Sequence, residues 1–197
     1  MPAMAMSEAS AKLMPTPAAT PFTADTIGLG SARMARITGL KNLSSAAPES
    51  AVALACDIVL AARSARFDQA FVRISLIPDL GGTWFLPHTV GDARARALAM
   101  LGTSVPAEEA ERMGMVWQVI DDDALMVEAR KLTGRLAAGP TLTYAAIKQA
   151  MNSAGINSLD AQLDLERDLQ RDLGRSADFK EGVAAFRAKR PANFMGR

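Results

Sequence analysis

The stretch Ile77-Pro78-Asp79-Leu80-Gly81-Gly82-Thr83-Trp84 constrains this chain more than any other. It places one carboxylate on a tight apolar turn, directly before two glycines that can open a helix. Behind it lies the apolar run Ala53-Leu54-Ala55-Cys56-Asp57-Ile58-Val59-Leu60-Ala61-Ala62, and ahead of it a long helical half. A carboxylate between apolar flanks loses hydration, which favours its protonated form and suits it to proton transfer. The same spacing also fits a turn aspartate that caps the helix after it.

The whole-chain numbers narrow the class. At 197 residues the chain can bury a full core. A hydrophobic share of 49% with 22% charged residues is that of an ordinary globular protein. A net charge of +1 without a basic run argues against nucleic acid or an anionic membrane surface as partner. The single cysteine, Cys56, excludes an internal disulfide and sits among apolar neighbours as a buried thiol would. With His88 as the only histidine, a His/Cys metal site has nothing to be built from. No apolar run approaches the roughly 20 residues of a membrane helix, and Met1 to Phe22 lacks a signal-type apolar core, so the expected compartment is the cytoplasm.

Three regions follow. Residues 1–50, rich in Ala, Ser, Thr and Pro, read as an atypical, disordered leader, apart from a short basic turn around Arg33 and Arg36. Residues 51–120 carry the ordered core: a helix end over 51–56, a strand over 57–62, a strand or loop approach over 67–77, an alanine-rich helix capped by Asp92, a Pro106-initiated helix closed by Gly114, and a strand over 116–120. Residues 121–197 are helical. Pro140 starts one helix and Ser158 another, whose Leu159, Leu163, Leu165, Leu169 and Leu173 form two apolar rows. Ser176 starts the last, which runs to about Arg190 with Phe179, Val183 and Phe186 on one face.

From about Ala51 onward the chain resembles the C-terminal portion of the crotonase superfamily of enoyl-CoA hydratases and isomerases. The resemblance rests on ALACDIVLAA, IPDLGGTW, GTSVPAEEAERMGMVWQVI and AFRAKRPANF, in that order. Within that family, Ile147-Lys148-Gln149-Ala150 and Leu163-Asp164-Leu165-Glu166-Arg167-Asp168 are most similar to the isomerases of phenylacetate breakdown that act on 1,2-epoxyphenylacetyl-CoA. The resemblance implies an α/β fold of stacked ββα turns, C-terminal helices that mediate trimerisation (a homotrimer or a dimer of trimers), and an acyl-CoA substrate. No separate cofactor is implied, since CoA is part of the substrate.

It also implies roles for particular residues. Family members polarise the thioester carbonyl with two backbone N–H donors while a carboxylate moves protons. The two glutamates of the hydratases fall on Ala51 and Phe71, neither of which transfers a proton, whereas the isomerase-type aspartate matches Asp79. Isomerisation therefore fits better than hydration, with hydration as a further alternative. Asp57 belongs to a family-wide Cys-Asp pair and reads as structural. Trp84 and Phe85 either line an acyl or aryl pocket or belong to the core. Phe186 and Lys189 match positions that contact the CoA nucleotide, although a lysine suits a helix end in any case. His88, where relatives carry arginine, receives no role.

Two departures set this chain apart. Nothing in residues 1–50 resembles the early ββα turns of the family, so the chain reads as a member whose N-terminal half is lost or replaced. The second oxyanion donor maps onto Pro48, which has no N–H to give, beside a charged Glu49. The competing expectation is thus a catalytically impaired homologue that serves as an oligomerisation or interaction module.

Overall fold

The computed structural model describes residues 37–40 and 52–197. Its centre is a three-stranded parallel sheet in the order β1 (Ile37–Leu40), β2 (Ile58–Ala62), β5 (Gln118–Ile120). Ile37 pairs with Ile58 on one side, and Leu60 with Gln118 on the other. The central strand is buried from Val59 through Ala62, without the in-out alternation of a half-exposed strand. Parallel strands covered on both faces need that continuous apolar run. A second, antiparallel ladder joins β3 (Arg66–Asp68) to β4 (Ser104–Pro106), with Phe67 opposite Val105 and both buried.

Between these ladders the chain forms a 3-10 helix over Ala70–Ile74, then α1 (Gly82–Val90) and α2 (Asp92–Leu101). After β4 comes α3 (Ala107–Met113), whose buried Ala107 and Ala110 allow it to lie close against the ladder. Beyond β5, α4 (Leu125–Ala137) crosses β1 and β2 and buries Leu125 and Ala129. Then follow α5 (Thr141–Ala154), α6 (Leu159–Leu173) and α7 (Ala177–Arg187). The core thus gathers around β2, lined by Leu54, Leu60, Phe67, Leu86, Leu98, Val105 and Leu125. The last three helices contribute little to it. Helix α6 buries no residue, and Leu159 and Leu163 stand exposed.

Several expectations are corrected by these elements. The strand Ile37–Leu40 lies inside the stretch read as a disordered leader: parallel pairing with β2 supplies the hydrogen bonds that a four-residue segment cannot provide by itself. The rest of residues 1–50 lies outside the described residues. Asp92 does not cap α2. Gly91 is the capping residue, with φ 82°, while Asp92 is the first helical residue and its carboxylate accepts from Arg96 Nε at 2.7 Å. The strand expected over 116–120 starts at Gln118. The last helix stops at Arg187 rather than near Arg190, because Lys189 adopts a left-handed φ of 50°. Helix starts set by local chemistry appear where expected. Ser158 and Ser176 each accept a backbone N–H, from Ala161 at 3.2 Å and Phe179 at 3.0 Å, and Gly114 ends α3 with φ 88°.

Candidate active site

The turn that carries Asp79 is built by two left-handed residues and a pair of glycines. The 3-10 helix ends at Ser75, φ 60°, whose N–H donates to Val72 O at 3.1 Å. After residues 76–79, which belong to no regular element, Leu80 takes φ 50° and Gly81 φ 83°. This reverses the chain so that Gly82 N–H donates to Asp79 O at 2.7 Å, while Trp84 and Phe85 N–H groups donate to Gly81 O at 2.9 and 2.8 Å. Glycine is required at 81 twice over: its φ is one that side chains rarely adopt, and a Cβ there would meet Phe85 Cε2 at 2.8 Å. Leucine has no such licence, so the backbone at Leu80 stores about 1–2 kcal/mol of strain. Held conformations of this kind cluster at functional sites.

The main chain of Asp79 closes the turn and its side chain does not. No side chain caps α1, and the Asp79 carboxylate forms no hydrogen bond or ion pair among the described residues. The capping role that the spacing allowed is therefore not the one this aspartate plays. The carboxylate is also exposed, and so are its apolar flanks: Ile77 is 77% accessible and Leu80 56%. The loss of hydration expected from flanking apolar residues is not produced within the described residues. Side chains adjacent in sequence point away from the turn instead of closing over it. Ile74, Leu76, Ile77, Leu80 and Trp84 give this end of the molecule an open apolar surface around one free carboxylate.

Helix α1 separates the two aromatic residues after the turn. Gly82, Leu86 and Val90 face inward, and Phe85 is half-buried against the core. Trp84, 58% exposed, points outward and stacks on His88, with ring centroids 4.5 Å apart and an interplanar angle of 27°. His88 Nδ1 lies 2.6 Å from Trp84 O, which fixes the imidazole one turn along the helix. Of the pair offered as pocket or core, Phe85 packs as core, and Trp84 remains available to a ligand.

The other candidate residues stand elsewhere. Phe71, at a position where hydratases carry a glutamate, is a buried apolar ring in the 3-10 helix. Asp57, the rival carboxylate, accepts from Lys148 Nζ at 2.7 Å and ties α5 to the turn ahead of β2. Phe186, 85% exposed, and Lys189 lie at the far end of α7, and no hydrogen bond, ion pair or ring contact among the described residues joins them to the Asp79 turn. Pro48 and Ala51 lie outside the described residues. A groove of about 500 Å³ between α5 and α6, lined by Leu142, Ala145, Gln149, Leu169 and Leu173 among others, includes none of the candidates.

Two densely bonded acidic groups on α7 were not anticipated from the sequence. The tail after α7 returns along that helix, and two acidic side chains fasten it. Asp178, 5% exposed, accepts from the N–H groups of Met195 and Gly196 at 2.7 and 2.9 Å, while its own N–H donates to Arg197 O at 2.9 Å. Glu181 accepts from Arg190 through both guanidinium nitrogens, at 2.6 and 2.8 Å, and from Asn193 N–H at 2.9 Å. These contacts, led by the arginine side chain, pull the Glu181 carboxyl down to about 2. The available signal was the i, i+3 spacing of Asp178 and Glu181, which puts both on one face of the helix.

Comparison with known proteins sets the chain among relatives. The family model for enoyl-CoA hydratase/isomerase matches residues 44–197. The chain is 54% identical over 146 residues to the 1,2-epoxyphenylacetyl-CoA isomerase of Escherichia coli, covering 74% of this chain and 56% of that protein. It is 34% identical to the crotonyl-CoA hydratase of Syntrophomonas wolfei, with the same coverage of both chains. The crystal structure of an enoyl-CoA hydratase from Polaromonas superposes with a TM-score of 0.73 at 31% identity, covering 81% of this chain and 59% of that one. The chain thus spans little more than half the length of the relatives it matches.

Proposed function

The chain belongs to the enoyl-CoA hydratase/isomerase family, and on that premise we propose that Asp79 is the proton carrier of an isomerase acting on an acyl-CoA thioester. The supporting observation is the free carboxylate of Asp79 on a strained turn, with an apolar ring at Phe71. Hydration needs two carboxylates to activate and position a water. One carboxylate suffices for isomerisation: it takes a proton from one carbon, leaving an enolate, and returns it to another carbon of the same substrate. The likeness to the epoxyphenylacetyl-CoA isomerase favours an aryl or ring-epoxide acyl group, for which exposed Trp84 offers a flat apolar contact. Phe186 and Lys189 would then take the nucleotide end of CoA. We place this activity in the cytoplasm. No helix among the described residues is long and apolar enough to cross a membrane.

A second reading draws on the apolar rows left open on the C-terminal helices. Leu159, Leu163 and Phe179 are exposed on α6 and α7, which suits packing against further copies in a trimeric assembly.

The test is turnover of 1,2-epoxyphenylacetyl-CoA and of a 3-enoyl-CoA by the purified full chain and its Asp79→Asn variant. The substitution keeps size and hydrogen-bonding capacity but removes the proton carrier. We expect a loss of about 10²–10⁴-fold in kcat with acyl-CoA affinity by titration calorimetry unchanged. Full turnover by Asp79→Asn would remove Asp79 from the mechanism.

A further inference from the structure

The end of α7 holds a lysine where the backbone favours glycine. Arg190 N–H donates to Ala185 O at 3.1 Å and Lys189 N–H to Phe186 O at 3.2 Å, the paired bonds of a Schellman motif. In that motif the residue after the cap is left-handed and usually glycine. Here it is Lys189, with φ 50°. Its ammonium forms no ion pair or hydrogen bond among the described residues, so its own side chain does not repay the strain. What holds the lysine there is the next residue. Arg190 is gripped by both oxygens of Glu181, and Asn193 N–H donates to that same carboxylate, so the chain on the C-terminal side of Lys189 is fixed to the helix. One turn earlier Asp178 fixes Met195 and Gly196, and the ring of Phe194 lies against the helix at Gly182. The result is an exposed cation three residues after the exposed ring of Phe186, on a backbone pinned by hydrogen bonds.

We propose that Glu181 is a positioning residue: by clamping Arg190 it holds Lys189 in the left-handed conformation, so that its ammonium and the Phe186 ring are preset for the nucleotide phosphates of an acyl-CoA. The inference rests on the reading that this chain binds an acyl-CoA. It differs from the simpler view in which Lys189 is a helix-end cation favoured by the macrodipole. That view predicts a loss of stability when the lysine is removed, whereas strain predicts a gain. The low titration range of Glu181 keeps the clamp charged at any working pH.

The experiment is titration calorimetry of acetyl-CoA against the full chain and its Glu181→Gln, Lys189→Gly and doubly substituted forms, with thermal melts of each. Glu181→Gln should weaken binding about two- to tenfold, the scale of one side chain's lost preorganisation. Lys189→Gly should weaken binding and raise Tm. The double variant should bind no more weakly than Lys189→Gly alone, since the clamp acts only through the lysine. Arg190→Lys, which keeps a charge but not the bidentate fork, should repeat the loss and guards against a Glu181→Gln chain that folds poorly. Unchanged affinity in both clamp variants, additive losses in the double variant, or a lower Tm for Lys189→Gly would each overturn the positioning role alone. Failure of the unsubstituted chain to bind acetyl-CoA would overturn the acyl-CoA reading and the clamp's role together.

Discussion

Asp178 lies buried on α7 with both carboxylate oxygens taking backbone N–H groups, whereas Asp79 stands exposed on a turn whose hydrogen bonds are all made by the main chain. Each has a left-handed, non-glycine residue nearby: Leu80 directly after Asp79, and Lys189 beyond the helix that carries Asp178. At the C-terminal end, side chains hold the strained residue from several directions. Among the described residues, three backbone bonds and a close-packed glycine do so at the Asp79 turn. A carboxylate that already accepts two N–H groups has little capacity left for chemistry, while one without partners can meet a substrate. The contrast separates an acidic residue spent on architecture from one left for function.

The comparison can be broken at either end. The largest effect belongs to Asp79→Asn, whose kinetic loss of about 10²–10⁴-fold should come with a change in unfolding free energy of under about 0.5 kcal/mol. Asp178→Ala should do the reverse. It strips two N–H groups of a charged acceptor and should cost about 2–3 kcal/mol, read by urea denaturation, with amide exchange accelerated at Met195 and Gly196. A stable Asp178→Ala chain with a protected tail would erase the distinction. Leu80→Gly should raise stability by about 1 kcal/mol, because relief of the left-handed leucine outweighs the added freedom of the unfolded chain. Lower turnover in that more stable variant would sharpen the case for functional strain.

The smallest effect concerns pH. The Glu181 carboxyl is pulled from its ordinary 4.5 to about 2. A carboxyl lowered in the folded state stabilises fully above its unfolded value and loses that contribution as pH falls through the folded one. The tail should therefore stay fastened from neutral pH to about 4.5 and loosen progressively toward 2, visible in the Asn193 amide resonance. Loosening already at pH 6 would mean that another group holds it.

Sequence made some of these elements legible and hid others for physical reasons. The starts of α5, α6 and α7 were readable because Pro140, Ser158 and Ser176 act on their own first turns. Helix α4 carries no such signal. It begins after Ala124, while the preceding acidic residues serve other partners: Asp121 accepts from Arg63 and Asp122 from Ser64. The three-residue strands β3 and β4 exist only through each other, and no local pattern of that length is informative. At the site, the turn at Asp79 could be read from its glycines, but its exposure could not, since that depends on where Ile77 and Leu80 point. The left-handed Leu80 was hidden as well, because leucine is among the residues least expected there.

The central sheet also sets the order in which the chain can assemble. Strand β2 is followed by a parallel partner only after β3, four helical segments and β4 have been gathered between them. Arg63 and Asp121, which meet at the end of that pairing, are 58 positions apart. Closing a loop of that length costs conformational entropy before any pairing repays it. Helices α5 and α6, by contrast, pack on each other across a short connection. We therefore expect the β2–β5 pairing to form later in folding than the contact between α5 and α6.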